Sequence, residues 1–317
     1  MKIVVLDGFA MAQNDLSWDA MKKFGDVVVY DRNDPDKVVE RLEGADIAIT
    51  NKVVLDKCII SQLPNLKMIA VAATGYNVVD CAAAAEHGIV VTNAPAYSTD
   101  SVAQMVFALL LNVTNRVQHY TDENRNGKWS RKNDFCYMDY THTELTGKTF
   151  GIIGVGHIGE KVARIAQSFG MIVIAYTHRH KDTLPAGICK VTKDELMRQS
   201  DIISLHCPLT EASRHAINAE SISLMKNNVI IINTGRGGLV DENAVAEALR
   251  SGRIAAFGAD VLTDEPPHAD NPILSAPNAF VTPHIAWASF EARQRLMNIL
   301  IANIKAFMDG TPINVVN

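Results

Sequence analysis

Three side chains in the second half of the chain could together reduce a carbonyl. Arg236 lies in Asn233-Thr234-Gly235-Arg236-Gly237-Gly238, directly after the apolar run Val229–Ile232. A guanidinium there can grip a carboxylate with two parallel hydrogen bonds. Glu265 follows in Thr263-Asp264-Glu265-Pro266, and His284 in Thr282-Pro283-His284-Ile285-Ala286. A carboxylate bonded to one imidazole nitrogen orients the ring and favours its charged form. The other nitrogen can then exchange a proton with a substrate. A proton donor, a carboxylate clamp and a hydride source are what reduction of a 2-keto acid requires. Spacing alone does not join them: 29 residues separate Arg236 from Glu265, and 19 separate Glu265 from His284. Taken singly, Arg236 could cap the helical pattern 242–250, and His284 could be a structural histidine.

A hydride source is legible in Gly154-Val155-Gly156-His157-Ile158-Gly159. This GxGxxG follows the apolar run Thr149–Ile153, opens the helical pattern 158–169 and leads into Ile172–Tyr176. That strand–loop–helix–strand context is what a dinucleotide site needs. Gly154 permits the tight turn, Gly156 admits a pyrophosphate, and Gly159 lets the helix pack closely on the strand. N–H groups at the helix start, around His157 and Ile158, meet the phosphates. NAD sites commonly carry an acid at the end of the second strand for the ribose hydroxyls. Here Ala175-Tyr176-Thr177-His178 contains none, and Arg179 follows, with Lys181 close by. Arg179, helped by His178 or Lys181, could hold a 2′-phosphate. The residues therefore favour NADP(H); the alternative is an NAD(H) site that uses Thr177 for the ribose. The His178-Arg179-His180 cluster lacks a carboxylate or further His at ligand spacing, so no metal site is read.

The elements that must position these groups recur in a regular rhythm. Lys2–Leu6, Val27–Tyr30, Ile47–Thr50, Met68–Ala72 and Ile89–Thr92 read as short apolar strands, with helical patterns at 36–42 and 79–86 between them. Thr149–Ile153, Ile172–Tyr176, Ile202–Leu205, Val229–Ile232, Ala255–Ala259 and Phe280-Val281 repeat the pattern. Continuous apolar strands suit parallel sheets covered on both faces. The helix opened near Asp100 keeps its apolar spacing through Val113 and is predicted to run past Arg116; residues 126–147 read as irregular. Trp287–Met308 reads as a second long helix, predicted to return to the first sheet. The expected architecture is α/β: two doubly wound, Rossmann-like domains joined by two long helices. A discontinuous, flavodoxin-like substrate domain would span 1–98 plus 288–317, and a dinucleotide-binding domain 99–287.

Composition narrows the function classes. The 317 residues carry 30 Lys and Arg against 35 Asp and Glu, a formal charge of -5. That balance lacks the basic surplus of a nucleic-acid footprint. No apolar stretch is long enough to span a bilayer, and Met1–Asp7 reads as a strand rather than a signal peptide. Five scattered cysteines without a CxxC pair fit a reducing cytoplasm better than a disulfide framework.

With these motifs assembled, the chain resembles the D-isomer-specific 2-hydroxyacid dehydrogenase family over essentially its whole length. The resemblance is carried by Gly154–Gly159, Ser204-Leu205-His206-Cys207-Pro208-Leu209-Thr210, Asn233–Asp241, Gly258-Ala259-Asp260-Val261 with Asp264-Glu265-Pro266, and Thr282–Ser289. It implies that Arg236 binds the substrate carboxylate and keto oxygen, and that His284 is the general acid/base with Glu265 as its partner. It implies that backbone amides at Thr74 and Gly75 bind the substrate carboxylate. Val102, Thr234 and Asp260 would bracket the nicotinamide, with Gly235, Arg236, His284 and Ala286 nearby. His206, Cys207 and Pro208 would wall the adenine and ribose. The family is typically dimeric through the cofactor domain's long helix and the segment after it, and domain closure excludes water.

Within the family, the glycerate dehydrogenase or hydroxypyruvate reductase branch is the most similar. Its marks are Trp129–Tyr140, with Asp134-Phe135-Cys136-Tyr137, and Ala286-Trp287-Ala288. Glu265 speaks against formate dehydrogenase, which resembles this chain but carries Gln there. The expected reaction is NAD(P)H-dependent reduction of hydroxypyruvate to D-glycerate, and the reverse, with glyoxylate as side substrate. A D-lactate-like enzyme is the alternative, since side chains near Asn51, Thr74 and Trp287 set substrate size. A nucleotide-sensing binding protein of the corepressor type is the alternative from another class.

Overall fold

The inner strands of this chain, such as Ile47–Thr50, Met68–Val71, Ile202–Leu205 and Val229–Asn233, are apolar on both sides because both sides are covered. In the computed structural model, which describes residues 1–13 and 15–317, the chain divides into two units. The first comprises Met1–Ser98 and Trp287–Asn317, the second Thr99–Ala286. In the first, β1 (Lys2–Val5), β2 (Asp26–Val29), β3 (Ile47–Thr50), β4 (Met68–Val71) and β5 (Val90–Thr92) form a parallel sheet ordered β2-β1-β3-β4-β5. Alternate residues feed opposite cores. Ile3, Ile49, Met68 and Ala70 pack with Leu296, Leu300 and Ile304 of the helix Phe290–Met308. Val4, Ala48, Ile69 and Val91 pack with Val38, Leu42 and Ala84 on the other face. Each fully buried Val, Leu, Ile or Met among them contributes about 1.5–3 kcal/mol, so the returning helix is integral to this unit.

The second unit holds β6 (Thr149–Ile153), β7 (Ile172–Tyr176), β8 (Ile188–Lys190), β9 (Ile202–Leu205), β10 (Val229–Asn233), β11 (Ile254–Ala259) and β12 (Ala279–Val281). Their order is β12-β11-β10-β9-β6-β7-β8, all parallel. The chain winds outward from β6 to β8, crosses back to β9 beside β6, and winds outward again. The reversal opens a crevice beyond the carboxyl ends of β6 and β9, where ligands of such sheets bind.

Several details differ from the reading of the sequence. The helix starting at Thr99 ends at Asn115 instead of running past Arg116. Arg116 takes a left-handed conformation (φ 52°) and a new helix, Val117–Arg125, begins. The cause is tertiary: the Arg116 guanidinium lies 4.8 Å from the Tyr140 ring centre and 4.9 Å from that of Phe280, and donates to Asn278 Oδ1 at 2.9 Å. The last helix starts at Phe290 rather than Trp287, because Ser289 Oγ accepts the Ala292 N–H and caps it there. Trp287 belongs to the first unit rather than the second, packing edge-on against Tyr97 at 6.4 Å. β8 carries too few apolar residues to announce itself as a strand.

Candidate active site

Three neighbouring strands end at one level. The registers pair Asn233 with Ala259 and Ala259 with Val281. The segments Thr234–Arg236, Asp260 and Thr282–His284 therefore leave the sheet side by side. Buried Asn233 shapes the first of them: its Nδ2 donates to Arg236 O at 2.9 Å, and its Oδ1 accepts the Gly235 N–H at 3.0 Å. Arg236 is exposed at this edge, with Nη1 donating to Gly235 O at 2.8 Å. It does not cap the helix Glu242–Arg250; Asp241 does, accepting the Ala244 N–H. Gly237 packs face to face on the next loop. A Cβ there would lie 1.9 Å from Leu262 C and 2.2 Å from Thr263 N.

Glu265 and His284 meet. Nδ1 of His284 lies 2.5 Å from Glu265 Oε2, while Glu265 Oε1 accepts the Leu262 N–H at 3.2 Å. With Nδ1 committed, Nε2 is the nitrogen that can carry a proton to or from a substrate. His284 has φ 54°, sparsely populated for a residue with a side chain. Two backbone bonds hold it there, from His284 N to Asp260 O at 2.8 Å and to Thr282 O at 3.0 Å. The Asp260 carboxylate collects the rest of the loop: Thr282 Oγ1 at 2.6 Å, Ile285 N at 2.9 Å and Ala286 N at 2.8 Å all donate to it. Burial pushes its carboxyl above the usual range, opposed by those three donors. Ser101 Oγ, on the helix Thr99–Asn115, donates to Ala286 O at 2.5 Å. Val102 is buried one residue on.

The other half of the edge is built to fit a dinucleotide. Gly154 has φ 94°, and a Cβ on it would lie 2.6 Å from Cys207 N. A Cβ on Gly159 would lie 2.2 Å from Gly154 O, so this glycine packs on the loop itself rather than on the strand. Around Gly156 a Cβ would meet nothing within 4 Å, which leaves the space a pyrophosphate needs beside the start of the helix His157–Ser168. Thr234 Oγ1 is buried and, among the described residues, has no partner. Such an orphan is costly unless a ligand satisfies it. His206 Nε2 pairs with Ser204 Oγ at 2.8 Å, and burial pulls its pKa down to about 4, so the ring is neutral at pH 7. Burial also raises the Cys207 thiol, and Pro208 beside it is exposed. Past β7, buried Thr177 accepts the Arg179 N–H at 3.2 Å, and exposed His178 leans on Tyr176 with ring centres 6.1 Å apart.

Thr74 and Gly75 lie after β4 in the first unit. Thr74 Oγ1 donates to Ala94 O at 2.9 Å, which fixes the start of their loop. Among the described residues no cluster of three His, Cys, Asp or Glu could hold a metal. Asn233, Gly237, Ser101 and Ser204 were not singled out by the sequence reading. Only Asn233 carried a signal, an Asn two residues before a Gly in a turn-forming position.

A family description, "D-isomer specific 2-hydroxyacid dehydrogenase, NAD binding domain", matches residues 107–286, more than half of the chain. This chain belongs to that family. The dehydrogenase is 45% identical to a hydroxypyruvate reductase of Blautia hydrogenotrophica, over 100% of both chains. It is 44% identical to a glycerate dehydrogenase of Methylorubrum extorquens, over 89% of this chain and 88% of the relative. Its fold matches an acyclic imino acid reductase solved with NADPH and D-Arg, at a TM-score of 0.88 and 35% identity over 100% of both chains. It is thus a nicotinamide-dependent oxidoreductase of D-2-hydroxy acids. None of its helices is long and apolar enough, among the described residues, to cross a membrane.

Proposed function

We propose that the dehydrogenase reduces hydroxypyruvate to D-glycerate, and catalyses the reverse, with glyoxylate as a side substrate. The observation that carries the reading is the 2.5 Å His284–Glu265 pair on the loop next to Arg236, at the carboxyl ends of adjacent strands. Arg236 clamps the substrate carboxylate and polarises the keto oxygen. By the family resemblance, Thr74 and Gly75 would offer backbone amides to a substrate carboxylate. Nε2 of His284 delivers the proton to the carbonyl oxygen, and Glu265 steadies the imidazolium before transfer. The nicotinamide, when bound, supplies the hydride. Gly154, Gly156, His157, Ile158 and Gly159 cradle its pyrophosphate, and Thr234, Asp260, Ala286 and Val102 border its ring. His206, Cys207 and Pro208 face the adenosine. The absence of an acid at 175–178, together with Thr177, His178 and Arg179, favours NADP(H). NADPH in the similar imino acid reductase is consistent with that preference.

A homodimer is supported by exposed apolar residues after the long helix, including Phe135 at 89% and Met138 at 79% exposure. Composition and the five unpaired cysteines fit the cytoplasm. Oxidation of NADPH and NADH, followed by nicotinamide absorbance with hydroxypyruvate, glyoxylate and pyruvate in parallel, tests the reading. The highest kcat/KM is expected with hydroxypyruvate and NADPH. A preference for pyruvate would make it a D-lactate-type enzyme. Cofactor binding without turnover would make it a nucleotide sensor.

A further inference from the structure

We infer that Glu160 tunes the choice between NADP(H) and NAD(H) by competing with a ribose 2′-phosphate for Arg179. The inference rests on the assignment of the segment after β7 to the adenosine ribose. Arg179 does not project freely from that segment. Its Nη1 donates to Val155 O at 3.2 Å, inside the glycine loop, and pairs with Glu160 Oε2 at 3.4 Å. Its Nη2 donates to Thr183 O. Three of these contacts fold the guanidinium back over the loop, and one of the three partners is an anion. Glu160 stands in the first turn of the helix His157–Ser168, where its N–H donates to Gly156 O at 2.9 Å and Arg164 Nη2 donates to its Oε1 at 2.7 Å. Arg164 first, and Arg179 after it, hold the Glu160 carboxyl below the usual range against partial burial, so it is ionised at pH 7.

The acid missing from the end of β7 is in effect supplied from the neighbouring helix. A dianionic 2′-phosphate must share Arg179 with an existing carboxylate one ion pair away. A ribose 2′-hydroxyl meets no such repulsion. Glu160→Gln keeps the size and the acceptor but removes the charge.

The test is calorimetric binding of 2′,5′-ADP and 5′-AMP to wild type, Glu160→Gln, Arg179→Gln and the double variant. Glu160→Gln should bind 2′,5′-ADP about tenfold more tightly than wild type, with 5′-AMP unchanged. KM for NADPH should fall to match, with kcat and KM for NADH held. The gain should vanish in the Arg179→Gln background, the signature of an effect exerted through that side chain. Unchanged or weaker 2′,5′-ADP binding in Glu160→Gln would overturn the inference. So would an equal gain without Arg179. The cofactor reading is judged separately, on wild type alone: indifference of 2′,5′-ADP binding to Arg179→Gln would remove Arg179 from the ribose site altogether.

Discussion

Replacing Gly237 by alanine adds one methyl group and should cost most of the activity while leaving a folded protein. Gly237 is not held in a left-handed conformation, so the argument is steric. Its Cβ would sit 1.9 Å from Leu262 C, 2.1 Å from Leu262 O and 2.2 Å from Thr263 N. Ordinary carbon contacts lie at roughly 3.5–4.0 Å, so the two loops must part by about 1.5 Å or more. Both partners are backbone, and no rotamer change relieves the clash. Overpacking of this kind costs about 1–3 kcal/mol. For the unit's 188 residues, Thr99–Ala286, each kcal/mol lowers Tm by about 2–4 °C, so a drop of roughly 2–12 °C is expected. Function should suffer more. Gly237 follows Arg236 in the chain, and Leu262 N–H holds Glu265 Oε1. Parting the loops moves Arg236 away from Glu265, and a misplacement of about 1 Å can cost on the order of 100-fold in rate. The assay pairs kcat/KM for hydroxypyruvate with thermal unfolding and nucleotide titration. Binding of 5′-AMP should survive, because Gly154–Gly159 stand on other strands, while affinity for the whole dinucleotide should fall with the displacement of Thr234 and Asp260. A variant that keeps wild-type kcat/KM despite the clash would refute the claim that this contact sets the geometry of Arg236 and Glu265.

Other substitutions test the remaining contacts. Glu265→Gln should lower kcat by about 100-fold or more, since the carboxylate that orients His284 through Nδ1 is lost; wild-type kcat in this variant would dismiss the pair. Thr234→Val removes the buried orphan hydroxyl. Melting without cofactor should be unchanged or higher, and nucleotide affinity should drop about tenfold, whereas a fall in both would mark a purely structural hydroxyl. Asp260, whose carboxyl is raised by burial, favours its protonated form on folding. Its contribution to stability is therefore greatest at acid pH and is lost as pH rises through the folded pKa, above the ordinary 3.8. Asp260→Asn should lack that component, and parallel unfolding-versus-pH curves for the two proteins would show Asp260 to be uncoupled from folding.

The α/β architecture is legible in the sequence because its physical cause is local. Ile47–Thr50, Thr149–Ile153, Ile172–Tyr176 and Ile202–Leu205 are each a short β-branched run bounded by turn or helix signals, and each is a strand over those residues. Where the cause is distant, the pattern misleads. Nothing around Asn115-Arg116-Val117 ends a helix; Tyr140, Phe280 and Asn278 do that from across the fold. Ile188-Cys189-Lys190 becomes a strand through its pairing with β7, not through its own alternation.

The site divides along the same line. Residue chemistry pointed to Arg236, Glu265 and His284, but their juxtaposition depends on strand register. Shifting β12 by one residue against β11 would carry Thr282–His284 away from Asp260 and leave Glu265 without its imidazole. Register here is fixed by the apolar faces of both strands and then locked by the Asp260 carboxylate, whose three donors all come from the loop that carries His284. Asp260 reads in sequence as one more acid after a strand. Its burial makes ionisation costly, and an ionised carboxylate can still accept all three donors. That cost sustains a backbone conformation, φ 54° at His284, which a residue with a side chain would otherwise leave. His284 is therefore held by a group that need not touch substrate, and a scan for reactive residue types alone would give that group no role.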